Sequence, residues 1–325
     1  MKIASFFSGI GGLDLGFKNN DFDIIWANEF DKTIWETYEQ NHSCFLEKRS
    51  IIDLDENDIP DVDGFIGGPP CQSWSVAGSG KGIEDKRGKT FLKLLYLIEL
   101  KKPKFFVLEN VQGILSQKHS DALNKITTTF SELGYDLHYK CLNAKYYDVP
   151  QDRKRVFFVG FKKEHNISFK FPKENSKIKT LKDTILNFEN PKSTKNLTIK
   201  PMDEYLDNTF SSRYMSRNRV RSWEEPSFTI PAMGRQVPLH PSAPKMIQIK
   251  KDLFEFKKED LSKYRRLTVR ECAIIQTFPQ NFVIKYNKIN DAYKMIGNAV
   301  PVKLAEAIAK EVKLSYIKKH LTTNL

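Results

Sequence analysis

Over the first 160 or so residues, short apolar runs alternate with longer amphipathic stretches. Ile3 to Phe7, Ile24 to Ala27, Gly64 to Ile66, Phe105 to Leu108 and Val156 to Phe161 read as strands, because brief runs of apolar, β-branched and aromatic residues fit a buried strand. Phe91 to Leu100 and Ser120 to Leu133 carry helical spacing between them. This alternation predicts an α/β fold with an open, mainly parallel sheet and helices on both faces. Ligands in such sheets bind beyond the carboxyl ends of the strands.

From about residue 165 to 290 the periodicity weakens and Lys, Asn and Pro dominate, as in Lys170-Phe171-Pro172-Lys173-Glu174-Asn175 and Pro191-Lys192-Ser193-Thr194-Lys195. The texture predicts a second, smaller, loop-rich domain. Asp291 to Asn298 and Val302 to Tyr316 then restore a helical pattern, with Leu304, Ala305, Ile308, Ala309 and Val312 on one stripe. We expect a first domain of residues 1–177, completed by 290–325, and a second of residues 178–289. No internal repeat stands out, and Lys318 to Leu325 reads as a frayed tail.

A chain of 325 residues with 40% hydrophobic content is long for one domain, which agrees with two lobes. Its 52 basic and 40 acidic residues give a formal charge of +12, which favours a polyanionic partner, with nucleic acid the first candidate. A merely lysine-rich soluble protein fits the charge equally well, so the motifs must decide. Cys44, Cys71, Cys141 and Cys272 show no C-x-x-C spacing, so neither a zinc site nor a disulfide framework is expected and a reducing compartment fits. Met1 to Phe7 runs straight into a strand without a signal-peptide pattern, and no apolar run reaches the length of a membrane span. The expectation is a cytoplasmic protein.

Four strand ends carry candidate chemistry. After Ile3 to Phe7 comes Phe7-Ser8-Gly9-Ile10-Gly11-Gly12, whose glycines permit a tight turn and the approach of a ligand to the backbone at a helix N-terminus. The next strand ends Trp26-Ala27-Asn28-Glu29, which sets a carboxylate where it can accept from ribose hydroxyls. The pair suggests a nucleoside cofactor, a nicotinamide dinucleotide as readily as any other, and a plain structural turn is the bland alternative.

The third strand-like run ends in Gly67-Gly68-Pro69-Pro70-Cys71-Gln72-Ser73, where two prolines fix the backbone before a lone thiol. That mount singles out Cys71, whereas Cys44, Cys141 and Cys272 read as structural cysteines. Phe105 to Leu108 leads into Glu109-Asn110-Val111. A glutamate among apolar strand ends can act as a proton donor, or can simply cap a helix or form an ion pair.

Taken together, these residues resemble the DNA (cytosine-5)-methyltransferase family. Its ordered motifs appear as Phe7-Ser8-Gly9-Ile10-Gly11-Gly12, Glu29, Pro69-Pro70-Cys71-Gln72, Glu109-Asn110-Val111, Gln151-Asp152-Arg153-Lys154-Arg155, Arg270-Glu271-Cys272-Ala273 and Gly297-Asn298-Ala299-Val300-Pro301. Seven motifs in order are far more specific than any one, and they leave chance and the dehydrogenase reading remote. The resemblance implies a Rossmann-like S-adenosylmethionine-dependent methyltransferase fold with a target-recognition domain. It also implies that Cys71 attacks carbon 6 of cytosine and makes carbon 5 nucleophilic. Glu109 at N3 and Arg155 at O2 would stabilise the adduct, with Arg153 in support. The alternation of Arg153 and Arg155 along a strand predicts that both share a face with Gln151. The group that removes the carbon-5 proton is not identified by the sequence.

The implied cofactor is S-adenosyl-L-methionine, with S-adenosyl-L-homocysteine as product and no metal. Phe7, Ser8, Gly9, Gly11, Gly12, Glu29, Phe30, Ser50, Ile51, Pro70, Asn298 and Val300 are the residues the resemblance assigns to it. One departure stands out: an acidic residue commonly follows the third strand to meet adenine, and here Arg49-Ser50-Ile51 occupies that register. Ser50 with Ile51 against the ring, or Asp53 reaching in, would replace it.

A base inside a duplex must be flipped out to reach Cys71, at a cost of about a few kcal/mol. The glycine- and serine-rich segment Ser73 to Gly82, with Arg87-Gly88-Lys89 after it, is similar to the family's closing lid, and Ser75 and Arg87 are its candidate DNA contacts. In the second lobe Arg217, Arg219 and Arg221 would project from one face of an extended segment, and Arg235 follows in Gly234-Arg235-Gln236. Arginine forks suit guanine edges, and phosphate binding is the alternative, so both uses are expected among the four. The stretch Ser216 to Pro244 resembles the target-recognition region of bacterial enzymes that modify the inner cytosine of GGCC. The reading is a monomeric, cytoplasmic, nucleoid-associated modification enzyme acting on double-stranded DNA, with a restriction endonuclease acting separately. An RNA cytosine-5 methyltransferase on the same scaffold and a catalytically silent DNA-binding protein are the alternatives.

Overall fold

The computed structural model describes residues 1–70, 86–187, 192–193 and 202–323. The chain divides into two compact units, one comprising Met1–Leu142, Lys154–Lys173 and Ala305–Leu325, the other Asn143–Arg153 and Glu174–Leu304.

In the first unit the chain runs β1 (Lys2–Phe6), α1 (Gly12–Lys18), β2 (Asp23–Asn28), α2 (Trp35–Asn41), β3 (Phe45–Glu47), β4 (Gly64–Gly67), α3 (Lys86–Lys101), β5 (Phe105–Val111), α4 (Ser120–Glu132), β6 (Tyr135–Asn143) and β7 (Lys154–Lys162). The described strands form a seven-stranded sheet in the order β3-β2-β1-β4-β5-β7-β6. The pairs β3–β2, β2–β1, β1–β4 and β4–β5 are parallel, and β5–β7 is antiparallel. Ile3, Ala4 and Phe6 in β1 and Phe105 to Leu108 in β5 are fully buried, as expected for strands covered on both faces. Phe6 packs on Trp26 and Phe65 at 5.2 and 4.8 Å, and Phe106 stacks on Phe130 of α4 at 4.3 Å.

Strand order reverses at β1, which has β2 on one side and β4 on the other. The glycine turn leaves the carboxyl end of β1, and Gly68-Pro69-Pro70 leaves that of the neighbouring β4. This is the crevice position at which open α/β sheets take their ligands. All five expected strands form. The two that the pattern missed, β3 and β6, are the sheet's edges, where short or half-exposed strands carry no long apolar run. The expected strand at Phe105 continues to Val111, so Glu109 and Asn110 lie within it.

The second unit has short elements: α5 (Lys182–Ile185), β8 (Lys192–Ser193), β9 (Glu204–Tyr205), β10 (Ile247–Lys250), β11 (Leu253–Glu255), α6 (Val269–Ile275) and α7 (Ile289–Asn298). Tyr214, Val220, Leu239, Ala243, Met246 and Tyr264 form a core there. Residues 143–153 and 290–304 belong to this unit, although the sequence pattern assigned them to the first. Buried polar bonds hold them: Gln151 donates to Gln276 at 2.9 Å and accepts from the Ile230 N–H at 3.0 Å. The last helix, α8 (Val302–Thr323), belongs to the first unit from Ala305 onward. No helix among the described residues is long and apolar enough to cross a membrane.

Candidate active site

The chain leaving β4 passes beside β5. Asn110, 3% exposed, donates its side-chain amide to the Pro69 carbonyl at 2.9 Å and so fixes the proline mount. The Glu109 carboxylate lies against the other side of that turn, since a Cβ added to Gly68 would stand 3.4 Å from its Oε2. Arg155, on β7, reaches Glu109 diagonally across the antiparallel pair and sets Nε 2.8 Å from Oε1, with both side chains largely buried. A carboxylate and a guanidinium therefore meet three residues before Cys71. Cys71 itself and Ser75 lie outside the described residues, and of Arg87 only the backbone, at the start of α3, is described.

The glycine turn is built on left-handed backbone. Phe7, Gly9 and Gly11 have φ of 52°, 55° and 79°. At Phe7, which has a side chain, that conformation costs on the order of 1 kcal/mol. Two backbone bonds close the turn, Ser8 N–H to the Asn28 carbonyl at 3.1 Å and Gly11 N–H to the Ser8 carbonyl at 2.9 Å. Glu29, just past the end of β2, accepts from the Gly9 N–H at 3.0 Å and the Asp31 N–H at 2.8 Å, which ties the two strand ends together. Phe30 beside it is 70% exposed. Gly12 opens α1 and is buried.

A Cβ at Gly9 would meet nothing within 4 Å, and the Ser8 Oγ is buried with no hydrogen-bond partner among the described residues. Open space over the backbone beside an orphaned hydroxyl fits a polar ligand at this turn. Along the next edge, Ser50 accepts from the Ile52 N–H at 3.3 Å and begins a short helical turn. Ile51 is buried in the core with Trp26 and Leu54, so its side chain is spent on packing, while Ile52 and Asp53 are the exposed residues. Pro70 is exposed at the end of the proline mount.

Strand β7 begins at Lys154, so Gln151 and Arg153 precede it and do not share the face of Arg155. Arg153 belongs to the second unit, is 1% exposed, and donates to the carbonyls of Ile230, Gly297 and Ala299 at 3.0, 2.7 and 3.0 Å. It thereby anchors the segment that carries Asn298, which is exposed, and Val300, which is buried.

The arginine row also departs from expectation. Arg217 and Arg235 are exposed, and no hydrogen bond or ion pair holds either among the described residues. Arg219 is 5% exposed and bonds the Tyr214 and Arg213 carbonyls and the Gln236 side-chain oxygen at 2.8 to 3.0 Å. Arg221 is half-buried against Glu225 at 2.7 Å. A short helical turn, Tyr214–Ser216, precedes the row, and its Tyr214 carbonyl together with that of Arg213 draws Arg219 inward, while Arg221 pairs with Glu225 and Arg217 stays exposed.

Burial pushes the thiols of Cys44, Cys141 and Cys272 up from the ordinary range, which suits packing and opposes nucleophilic chemistry. Among the described residues no group of His, Cys, Asp and Glu could hold a metal ion. Nothing in the sequence pattern connects Ser5, Asp14, Tyr38 and His42 with the glycine turn. Spacing exposed only that Tyr38 and His42 stand one helical turn apart on α2 and its cap.

The chain is 53% identical over 321 residues to the Type II methyltransferase M.MthTI of Methanothermobacter thermautotrophicus, with 96% of this chain and 97% of that protein covered. It is 50% identical to M.FnuDI of Fusobacterium nucleatum over 96% of this chain and 94% of that protein. The fold matches the Entamoeba histolytica methyltransferase EhMeth with a TM-score of 0.71 at 18% identity, covering 96% and 97% of the two chains. It also matches S. pombe Dnmt2 methyltransferase with a TM-score of 0.65 at 17% identity, covering 97% and 98%. The family model described as C-5 cytosine-specific DNA methylase matches residues 1–314, and the chain belongs to that family.

Proposed function

We propose that this DNA cytosine-5 methyltransferase uses Cys71 as the nucleophile and S-adenosylmethionine as methyl donor. What supports the reading is the Glu109–Arg155 pair, 2.8 Å apart against the Gly68 turn that delivers Cys71. Addition of the Cys71 thiolate to carbon 6 moves electron density onto N3 and O2 of the ring and makes carbon 5 an enamine carbon. Arg155 donates to O2 and Glu109, in its protonated form, to N3, so charge is met where it develops. After carbon 5 is methylated, its proton leaves to a base and the sulfur–carbon 6 bond breaks to restore the ring. The cofactor supplies an electrophilic methyl group. Residues Phe7 to Gly12, with the open space at Gly9, the Ser8 hydroxyl, Glu29 and the exposed Phe30, would hold it.

The target cytosine is flipped out of the duplex, since a base stacked within it is out of reach of an enzyme nucleophile. The target is the inner cytosine of GGCC, within a restriction-modification system. This rests on the likeness of Ser216 to Pro244 to GGCC-directed enzymes and on the exposed guanidinium groups of Arg217 and Arg235, suited to guanine edges. Base-resolution mapping of plasmid DNA treated with the protein is expected to centre on GGCC, and another motif would overturn the subgroup assignment alone. Cys71→Ser is expected to lose methyl transfer by several orders of magnitude while retaining duplex binding. Near-normal turnover in that variant would remove the covalent mechanism.

A further inference from the structure

We propose that His42 is a positioning residue for the glycine turn, holding it in the shape that receives the cofactor. The inference deepens the reading of this turn as the S-adenosylmethionine site and rests on it. A turn with left-handed backbone at Phe7, Gly9 and Gly11 does not keep its shape unaided. Gly11 is also the N-cap of α1 and has no side chain with which to cap it.

Two side chains hold the turn from its two ends. Glu29 takes the Gly9 N–H at 3.0 Å, and His42 sets Nε2 3.1 Å from the Ile10 carbonyl. A carbonyl only accepts, so Nε2 must carry the proton. The imidazole also fills the space beside Gly11, where an added Cβ would stand 2.1 Å from Nε2. Glycine at this position is thus required by φ and by the histidine together.

The ring is itself fixed. It stacks on Tyr38 at 4.2 Å with the planes 19° apart. The Tyr38 hydroxyl donates to Asp14 Oδ2 at 2.6 Å, and the Ser5 hydroxyl donates to Oδ1 at 2.6 Å. Ser5, Asp14 and Tyr38 are at most 1% exposed. One buried network therefore joins β1, α1 and α2 around the turn, and His42 is its contact with the Ile10 backbone. Burial keeps the imidazole below its ordinary titration range against the opposing charge of Asp14, with Lys18 adding to the depression. The neutral ring is the form that donates at neutral pH.

The test compares His42→Ala, His42→Gln and Glu29→Ala in the full chain. Calorimetry without DNA gives the dissociation constant for S-adenosylmethionine, and steady-state kinetics on duplex DNA separate KM from kcat. His42→Ala is expected to raise both the dissociation constant and KM about tenfold, equivalent to about 1.4 kcal/mol. Its kcat at saturating cofactor and its DNA affinity should stay within about twofold, and the glutamine amide, which reaches the same carbonyl, should recover most of the loss. A folded His42→Ala protein with unchanged cofactor affinity overturns the inference, as does a glutamine variant no better than alanine. Should His42→Ala fail to fold, Tyr38→Phe keeps the ring and removes its tie to Asp14, and it is expected to weaken cofactor binding severalfold. Unchanged affinity in that variant overturns the inference too. If the wild type binds no cofactor, or Glu29→Ala changes nothing, the cofactor reading itself fails. If Glu29→Ala weakens binding and His42→Ala does not, only the role of His42 fails.

Discussion

Arg219 turns its donors inward, to the carbonyls of Tyr214 and Arg213 and to Gln236, and lies 4.5 Å over the Tyr214 ring. No carboxylate pairs with it among the described residues, and burial, with Arg217 and Arg213 nearby, pushes its guanidinium down to about 10. It remains charged at neutral pH and ties the turn bearing Arg217 to the one bearing Arg235. A lysine ammonium cannot reach all three acceptors, so Arg219→Lys is expected to destabilise the protein by about 1 to 3 kcal/mol and to relax sequence choice indirectly. The exposed Arg235, changed to Lys, should alter stability by less than about 0.5 kcal/mol yet relax the methylated motif directly. Melting temperatures and methylation maps of both variants check this. If Arg219→Lys melts normally and only its map changes, Arg219 reads a base itself.

Neighbouring positions on one strand are given different work by the pleat. In β5, Glu109 meets Arg155 of β7, and Asn110 instead bonds Pro69 at the end of β4. Asn110→Ala should free the proline mount and leave a buried carbonyl unmet, at about 1 to 3 kcal/mol. Because the placement of the proposed nucleophile is what would suffer, kcat is expected to fall roughly 10- to 100-fold with little change in binding of cofactor or DNA. Single-turnover rates beside binding constants would check it, and an unchanged rate would show that the two prolines hold the turn unaided. The strand itself was legible as Phe105 to Leu108, since four consecutive apolar residues mark a strand buried on both faces. Its extension to Val111 was not, because pairing of Asn110 and Val111 with Val156 and Arg155 on β7 decides it.

At the scale of the molecule, acid is expected to act first through the second unit. His240 is pushed down to about 4 by burial, against the pull of Glu271 at 3.5 Å and with added repulsion from Arg265. Its folded value lies below the ordinary value of 6.5, so the unfolded chain binds the extra proton. Stability is then fully present above about pH 6.5 and is lost as pH falls toward 4, by at most about 1.4 kcal/mol per pH unit. For Glu271, burial alone would raise the carboxyl, but the bidentate Arg265 outweighs it and holds the carboxyl low, so its contribution is lost only at still lower pH. Melting curves from pH 7.5 to 4.5 should fall more steeply for the wild type than for His240→Gln. Equal slopes would remove His240 as the cause.

The sequence by itself determined the family, the alternating α/β core and the order of the strand ends that bear the motifs. Those depend on local matters: apolar runs long enough to be buried, glycines where the backbone must turn left-handed, and prolines fixed before a thiol. The tertiary structure decided which charges are free. Arg153 and Arg155 look alike in Gln151-Asp152-Arg153-Lys154-Arg155, yet one is spent on three buried carbonyls and the other meets Glu109. Arg217 and Arg219 differ in the same way. A side chain's partners come from segments distant along the chain, as Gly297 lies 144 residues from Arg153, and no periodicity encodes that approach. His42 entered the site for the same reason: its carbonyl partner is 32 residues away and becomes its neighbour only when β1, α1 and α2 pack together.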